Sequence, residues 1–528
     1  MKSAKKYMSI LAKNYMIPDR LPLIAISTYL SGYFFGKDGL AVHGFLMPLY
    51  FMFSIVGFVI NAGSLTLAMR AINRFDSERS RQISSAALFF SIVIGLVLMI
   101  LTWIFLDPIV TFLGVPAELH ALAMDYAQLF PILGFFLIVS NYAMQFMKIV
   151  GLQTQFRLIY KILLVFNGIA IYFCAKILDL GIQSVAIGML VATIIFLIYG
   201  AIQLKKYFHS NLFAPIDFSN LELGAIFQAR SALTISKIGL LLQTVLYNHI
   251  LMLTLGIDGV AVYAGMRMAI QLCRTGSDMS LQPIAPVLTI ELGDKNLPAC
   301  LLMFKTAIQR GLVFAILFSV GILALTEHEA YKFYVSSLIP AAISAIFIAA
   351  YLPMRHEIFA NIIALLRTLI IPGAFLIWAY HNDPSKVWWS FPVAEFGTLI
   401  FIVLGMKFLQ KLKNLKTPLL LDLTTFPKSI FFVVNRDVGL TDDQKSKISN
   451  PKILEAIEEW IKLSREHSDL NKNNFTSVQI SDDKIVLRST GQRFDYREVI
   501  PSSRLKDFDW SFKFVLGLSN LYIQEVKK

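Results

Sequence analysis

Long apolar blocks run along most of this chain, separated by short polar stretches. Twelve such runs occur, at approximately 21–36, 45–68, 86–106, 126–147, 158–178, 184–202, 233–255, 259–285, 306–326, 334–353, 358–380 and 387–409. A helix of about 20 residues crosses a hydrocarbon layer about 30 Å thick, and most of the runs reach that length. They predict an all-α polytopic membrane protein with twelve transmembrane helices. After Lys416 the blocks shorten and charge becomes dense. In this tail Ser429–Val434 predicts a strand and Asn450–His467 a helix with Pro451 near its first turn. Val478–Ile480 and Lys484–Arg488 alternate as a hairpin around Ser481-Asp482-Asp483. Leu516–Val526 forms a last element that periodicity leaves open between strand and helix. Residues 425–528 are therefore expected to form a small cytoplasmic α+β domain.

Charge then orients the runs. Of the 528 residues 56% are hydrophobic and 16% charged, and the mean hydropathy is +0.63. That charged fraction lies well below the usual quarter of a soluble domain. The 42 Phe suit helix surfaces that face lipid. A net charge of +13 would suit nucleic acid, but most basic residues before 420 sit in short loops between apolar runs, so no nucleic-acid partner is expected. Lys2 to Arg20, Arg70/Arg74/Arg79/Arg81, Lys148/Arg157, Lys205/Lys206, Lys295/Lys305, Arg355 and Lys407/Lys411/Lys413 all fall on one side. Asp107, Glu118, Asp179, Asp258, Glu327 and Asp383 mark the other. The positive-inside rule places both termini in the cytoplasm, with the chain in the plasma or inner membrane. A longer loop, about 203–228, divides the runs into an N-terminal lobe, 1–205, and a C-terminal lobe, 206–415. Polar connections Asn73–Glu78 and Glu291–Asn296 precede the third run of each set, a weak repeat compatible with two bundles rocking about a central site. The three cysteines lack metal-type spacing, and no cleavable signal is read at the start. No catalytic residues, metal ligands or cofactor are assigned, and the chain is not read as an enzyme.

Within the eighth run, polar residues break the apolar pattern. Arg267, Gln271, Arg274, Asp278 and Gln282 share a helix sector about 80° wide. Ionised groups in a bilayer are costly and are expected to face a bundle interior or a water-filled cavity. Arg274 and Asp278, four residues apart, can alternatively neutralise each other and pin helices together. That does not cover Arg267 and Gln271, deeper in the run. In the seventh run Arg230, Thr234, Lys237, Thr244 and Asn248 share a similar sector, about 80° wide. For Arg230 and Lys237 the alternative is snorkelling to the interface. Two basic stripes suit an anionic or amphiphilic solute, including a lipid-linked sugar phosphate. Asn61 reads as an interhelical packing element or a ligand, and Glu395 as an unpaired acid, either structural or a proton site. Pro48, Pro131, Pro283, Pro286 and Pro372 would permit bending within spans, and Trp378, Trp388 and Trp389 read as an interface belt.

Several stretches carry a family resemblance: NRFDSERSRQ, FLGVPAEL, ALAMDYAQLFP, Asn167 with LDLGIQSVAIGMLVAT after it, SLQPIAPVLTIELGDKN, RTLIIPGAFLIWA and VWWSFPVAEFGTL. In order and spacing they resemble the multidrug and toxic compound extrusion (MATE) exporters, particularly the DinF-like branch, over about residues 20–410. The resemblance implies two six-helix lobes and export driven by a sodium or proton gradient, with Asn167 a site residue. Many members carry an acid in the first helix where this chain has Ser31, and some carry Asp where it has Ile171. Coupling is therefore expected to use Asp278 or Glu395. The tail resembles a worn histidine-kinase-type ATPase domain in EEWIKLSREH and LRSTGQRFDYREV. Leu463 stands for that family's Mg-binding Asn, Ser489 for its adenine-reading Asp, and no glycine-rich lid lies between Val499 and Ser511. No ATP hydrolysis is expected, and a regulatory role or a cytoplasmic protein partner is. The resulting expectation is a secondary transporter exporting small amphiphiles by Na+- or H+-coupled antiport with alternating access. The alternatives are a flippase for an anionic lipid-linked precursor and a membrane-anchored regulator or sensor.

Overall fold

The computed structural model describes residues 21–73, 77–149, 153–208, 231–281, 288, 291–326, 328–351, 354, 356–414, 426, 428–448, 450–466, 475–481, 484–490, 508–515 and 518–524. Its helices are α1 (Leu21–Asn73), α2 (Ser77–Ile104), α3 (Leu106–Phe112), α4 (Ala117–Ala127), α5 (Phe130–Ile149), α6 (Gln153–Lys176) and α7 (Gln183–Phe208). There follow α8 (Ser231–Leu281), α9 (Leu297–Leu325), α10 (Glu329–Tyr351), α11 (Glu357–Leu365), α12 (Ile371–Asn382) and α13 (Ser390–Leu412). A π-helical turn, Leu366–Ile370, joins α11 to α12, and a 3-10 turn, Pro384–Trp389, precedes α13. Among the described residues ten helices are long and apolar enough to cross a membrane. Two of them, α1 and α8, are each broken by a glycine and so cover two apolar runs apiece.

Those breaks follow one rule. Gly36 has φ 65° and ψ −156°, and Gly256 has φ 67° and ψ −158°. This region of backbone space is essentially open to glycine alone. A Cβ at either position would meet nothing within 4 Å, so the requirement is conformational rather than spatial. Three residues on, space does decide: a Cβ on Gly39 would lie 2.3 Å from Phe35 Cβ, and one on Gly259 2.5 Å from Leu255 Cβ. The sequence repeats around both breaks, as Gly36-Lys37-Asp38-Gly39-Leu40-Ala41-Val42 and Gly256-Ile257-Asp258-Gly259-Val260-Ala261-Val262. This repeat is stronger than the one between the polar connections.

Described separately, the chain forms two compact units, one taking in Ile17–Met279 and Gly311–Leu404, the other Ser280–Arg310 and Gly405–Lys528. In the first, close approach of backbones does the packing that apolar burial cannot do in lipid. A Cβ on Gly57 of α1 would stand 2.9 Å from Ile138 Cα of α5, and Gly134 of α5 lies flat under the buried Phe53 ring. Phe is split between roles. Phe45, Phe53, Phe130 and Phe146 are fully buried, while Phe89, Phe166, Phe396 and Phe408 are exposed on helix surfaces. The short helices α3 and α4 fill a stretch that the apolar pattern passes over.

In the second unit the tail carries β1 (Ser429–Asn435), α14 (Asp442–Lys445), α15 (Pro451–Glu466), β2 (Phe475–Ser481), β3 (Ile485–Thr490), β4 (Asp509–Val515) and β5 (Leu518–Gln524). The strands form one antiparallel sheet in the order β1-β2-β3-β5-β4. Ile480 pairs with Ile485 across the expected hairpin, and the last element is a strand. Val478, Leu487 and Leu521 stand in one row and pack with Ile457, Trp460 and Ile461 of α15 in a core.

Candidate functional site

Arg267 lies on α8 eleven residues beyond Gly256, roughly 16 Å along the helix at 1.5 Å per residue. Its side chain is only 6% exposed. One terminal nitrogen donates to Thr244 Oγ1 and to Tyr263 OH at 3.3 Å. The guanidinium stands 4.9 Å from the Phe51 ring centre and 5.7 Å from that of Tyr263, in the range of cation–π attraction. Phe51 belongs to α1, so residues from both halves of the transmembrane region enclose this cation. Among the described residues no acid pairs with it, and its Nε has no partner. Tyr263 is held in place by Tyr247, stacked at 4.8 Å, which donates through its hydroxyl to Ser390 Oγ at 2.6 Å. The result is a rigid aromatic wall beside a desolvated, incompletely satisfied positive charge.

Other expected site residues lie around it in several ways. Lys237 Nζ sits 4.8 Å from the Phe58 ring centre, again joining α8 to α1. Asn248 is buried, and its Nδ2 donates to Gly44 O at 3.1 Å. Its Oδ1 finds no partner among the described residues. Asn167 of α6 donates to Ser27 Oγ at 3.1 Å and to Leu23 O at 3.4 Å, and its Oδ1 is likewise without a described partner. It is brought to the first half of α1 rather than to Arg267. Asn61 donates to Gly57 O and to Ser91 Oγ, both at 2.9 Å, which makes it a link between α1 and α2. Ser31 donates to Gly39 O at 2.8 Å and so ties the two arms of the Gly36 break. Gln271, Arg274 and Asp278 continue the Arg267 helix, but their side chains lie outside the described residues, as do Arg230, Gln282, Pro283 and Pro286 entirely.

Glu395 is not the unpaired acid that its surroundings in the sequence suggest. Arg367 Nε donates to both of its oxygens at 2.8 Å, and the two side chains are 12% and 13% exposed. Arg367 occupies the π-helical turn, a form frequent at functional sites. The next residue, Thr368, presses on α8: a Cβ on Gly239 would lie 2.0 Å from Thr368 Oγ1. Removing one member of such a pair strands the other in a low-dielectric setting, whereas removing both does not. Glu395→Gln is expected to destabilise the purified protein by about 3 kcal/mol or more, and Arg367→Met with Glu395→Leu to restore its thermal midpoint. A midpoint unmoved by Glu395→Gln would place both groups in water.

The Gly36 and Gly256 ends meet. Gly44 packs so closely on α8 that a Cβ there would lie 3.0 Å from Ala264 Cβ and 3.8 Å from Val260 Cγ1. At the tip Lys37 Nζ reaches Asp258 Oδ1 at 3.1 Å, an exposed pair worth little in isolation. Near them His43 is buried between Thr28 Oγ1 at 3.0 Å and Tyr126 OH at 2.8 Å, both ring nitrogens partnered.

In the tail, Leu463 lies in the apolar core. Ser489 is buried beneath the indole of Trp460, whose Nε1 donates to it at 3.0 Å, and it contacts Thr476 Oγ1 at 2.7 Å. Most of the stretch read for a glycine-rich lid, 499–507, lies outside the described residues.

The sequence model of the MatE family matches residues 23–175. The fold is similar to that of an inward-facing multidrug resistance MATE family transporter of the MOP superfamily, at TM-score 0.66 and 16% identity over 78% of this chain and 100% of that one. An outward-facing MATE family transporter is similar at 0.62 and 15% identity over 78% and 97%. A MOP superfamily transporter from Pyrococcus furiosus Vc1, for which a binding pocket of reverse polarity suggests a different function, is similar at 0.61 and 16% identity over 76% and 94%. No curated protein sequence matches the chain.

Proposed function

We propose that this chain, with a MatE domain in a MATE-type transporter fold, is an alternating-access secondary transporter that exports small amphiphilic solutes carrying negative charge. One observation carries the choice of charge: Arg267 is buried, faces aromatic rings from both halves, and has no acid partner among the described residues. A cationic drug would meet repulsion there, while an anion with an apolar body would pair with the guanidinium and lie on the Tyr263 wall. Likeness to both inward- and outward-facing transporters supports alternating access. The basic loops support a cytoplasmic placement of both termini in a plasma or inner membrane, an orientation in which the joined Gly36 and Gly256 ends face outward. The conformation is then closed outside.

Coupling to Na+ or H+ falls to Asp278, because Glu395 is already paired with Arg367. A second reading, a flippase for an anionic lipid-linked precursor, is favoured by Lys237 as a further cation where α8 meets α1. The test is flux of anionic and cationic dyes in inverted vesicles, with and without sodium and proton gradients. Gradient-driven movement of anionic dyes is expected, and movement of cationic dyes alone would overturn the charge assignment. Movement of neither, with translocation of an anionic lipid, would select the flippase. Asp278→Asn should abolish the ion dependence, and unchanged dependence would remove Asp278 from the mechanism.

A further inference from the structure

The tail sheet has two faces, and they differ in chemistry. One packs its aliphatic row against α15. The other presents Ser477, Gln479, Arg488 and Asn520, polar side chains that are nonetheless almost fully buried. What covers them is the connection between α8 and α9. Arg488, 3% exposed, donates one terminal nitrogen to Glu291, which is 0% exposed, and the other to Asp294. Its Nε donates to Asn520 Oδ1 at 2.5 Å. Gln479 Nε2 donates to Asp294 O at 2.9 Å, and Lys484 Nζ stands 3.6 Å from Asp294 Oδ1. Asn296 holds the second oxygen of Glu291 at 2.8 Å, and its own Oδ1 accepts from Ala299 N in the first turn of α9 at 3.3 Å.

Every acid on the connection is therefore met by a group on the sheet or on its own turn, a match no solvated linker requires. Such an interface differs in kind from the α15 face. This contact lies within one compact unit, but it is polar, and the attraction within a buried ion pair is largely offset by the cost of removing both charges from water. Burial itself pushes the Glu291 carboxyl above its usual range, with Arg488 opposing the shift. A contact of this type specifies one geometry without fastening it permanently. It also falls at a telling place, because the gripped residues follow in sequence on the helix that bears Arg267, beginning ten residues beyond its end at Leu281.

We infer that the tail is a releasable latch: docked through Arg488 onto Glu291 and Asp294, it restrains the cytoplasmic end of α8 and slows the conformational exchange of the transmembrane lobes. Undocking frees α8 and speeds exchange. The tail thereby acts on the membrane region as an autoinhibitory domain, and anything that occupies its polar sheet face would relieve the restraint.

The experiment uses the purified full-length chain in lipid nanodiscs and needs no knowledge of the solute. Arg488→Glu reverses the central charge, while Glu291→Gln with Asp294→Asn removes the loop acids and leaves the sheet untouched, which guards against misfolding of the first variant. Hydrogen exchange across 291–300 and strands β2 and β3 reports docking. Spin labels at the exposed positions Tyr33 and Leu253, three residues before the Gly36 and Gly256 breaks, report conformational exchange. Both variants are expected to raise exchange at the loop and strands at least tenfold, and to broaden or shift the Tyr33–Leu253 distance distribution. Unchanged hydrogen exchange overturns the docking, and raised exchange with an unchanged distance distribution overturns the restraint. Neither result depends on which solute is carried, so the latch and the transport reading fail separately.

Discussion

Arg267→Met is expected to abolish transport while leaving the protein as stable as before, or more stable. The side chain is buried among Thr244, Tyr263 and Phe51, with its Nε unpartnered and no acid beside it among the described residues. Burying an unpaired charge costs several kcal/mol, only part of which two hydroxyls and two ring faces return. Methionine keeps much of the length, fills irregular space and needs no partner. A residue kept solely for packing would lower the thermal midpoint when replaced. A residue kept for its charge would not, and its loss would appear as at least a tenfold fall in initial rate, about 1.4 kcal/mol of lost interaction with the solute. Arg267→Lys should fall between, since it keeps the charge but not the planar fork that engages an anion through two donors. The measurements are thermal unfolding in detergent and anionic-dye flux in reconstituted vesicles. Full flux in Arg267→Met would reduce this cluster to packing.

The parts of this molecule legible in sequence are those set by local pattern. Apolar runs long enough for a bilayer locate the helices, alternation locates β2 and β3, and Pro451 at a first turn locates α15. The charge of Arg267 stood out because its neighbours along the chain are apolar. Two further signals lie in the sequence: the Gly-x-Asp-Gly repeat at Gly36 and Gly256, and the alternating aromatics Trp510, Phe512 and Phe514 of β4. What no local pattern carries is pairing across elements. Glu395 reads as unpaired in the sequence because Arg367 lies on a different helix, 28 residues earlier. Glu291 and Arg488 are further apart still, one on a membrane loop and the other on a tail strand. Each looks like an ordinary solvated charge until the fold brings the two together. Asn61 and Asn167 show the same limit from the other side, since only the fold tells that the first joins α1 to α2 and the second joins α6 to α1.

Gly44→Leu is expected to open the contact that joins the Gly36 and Gly256 ends, which the proposed orientation places on the outer side. In the structure Gly44 faces Ala264, which is its own counterpart in the repeat around the two glycine breaks, so α1 and α8 touch where the repeat meets itself. Small residues at such a crossing let two backbones approach. Here a Cβ would already stand 3.0 Å from Ala264 Cβ, and the Gly44 carbonyl accepts the Asn248 amide from α8. Leucine adds its bulk to a joint without room for it, at an overpacking cost of about 1–3 kcal/mol. Nothing requires the open form to bear that cost, so the equilibrium should shift roughly 5- to 150-fold toward opening. Val260, buried beside Gly44, supplies the reporter. A cysteine placed at Val260 should react with a membrane-impermeant maleimide at least fivefold faster in the Gly44→Leu background, and by a smaller factor with Gly44→Ala, where Ala264 need yield only a few tenths of an ångström. Equal labelling rates in all three backgrounds would mean that this contact does not gate the outer side, and the closed state would then have to be held elsewhere along α1 and α8.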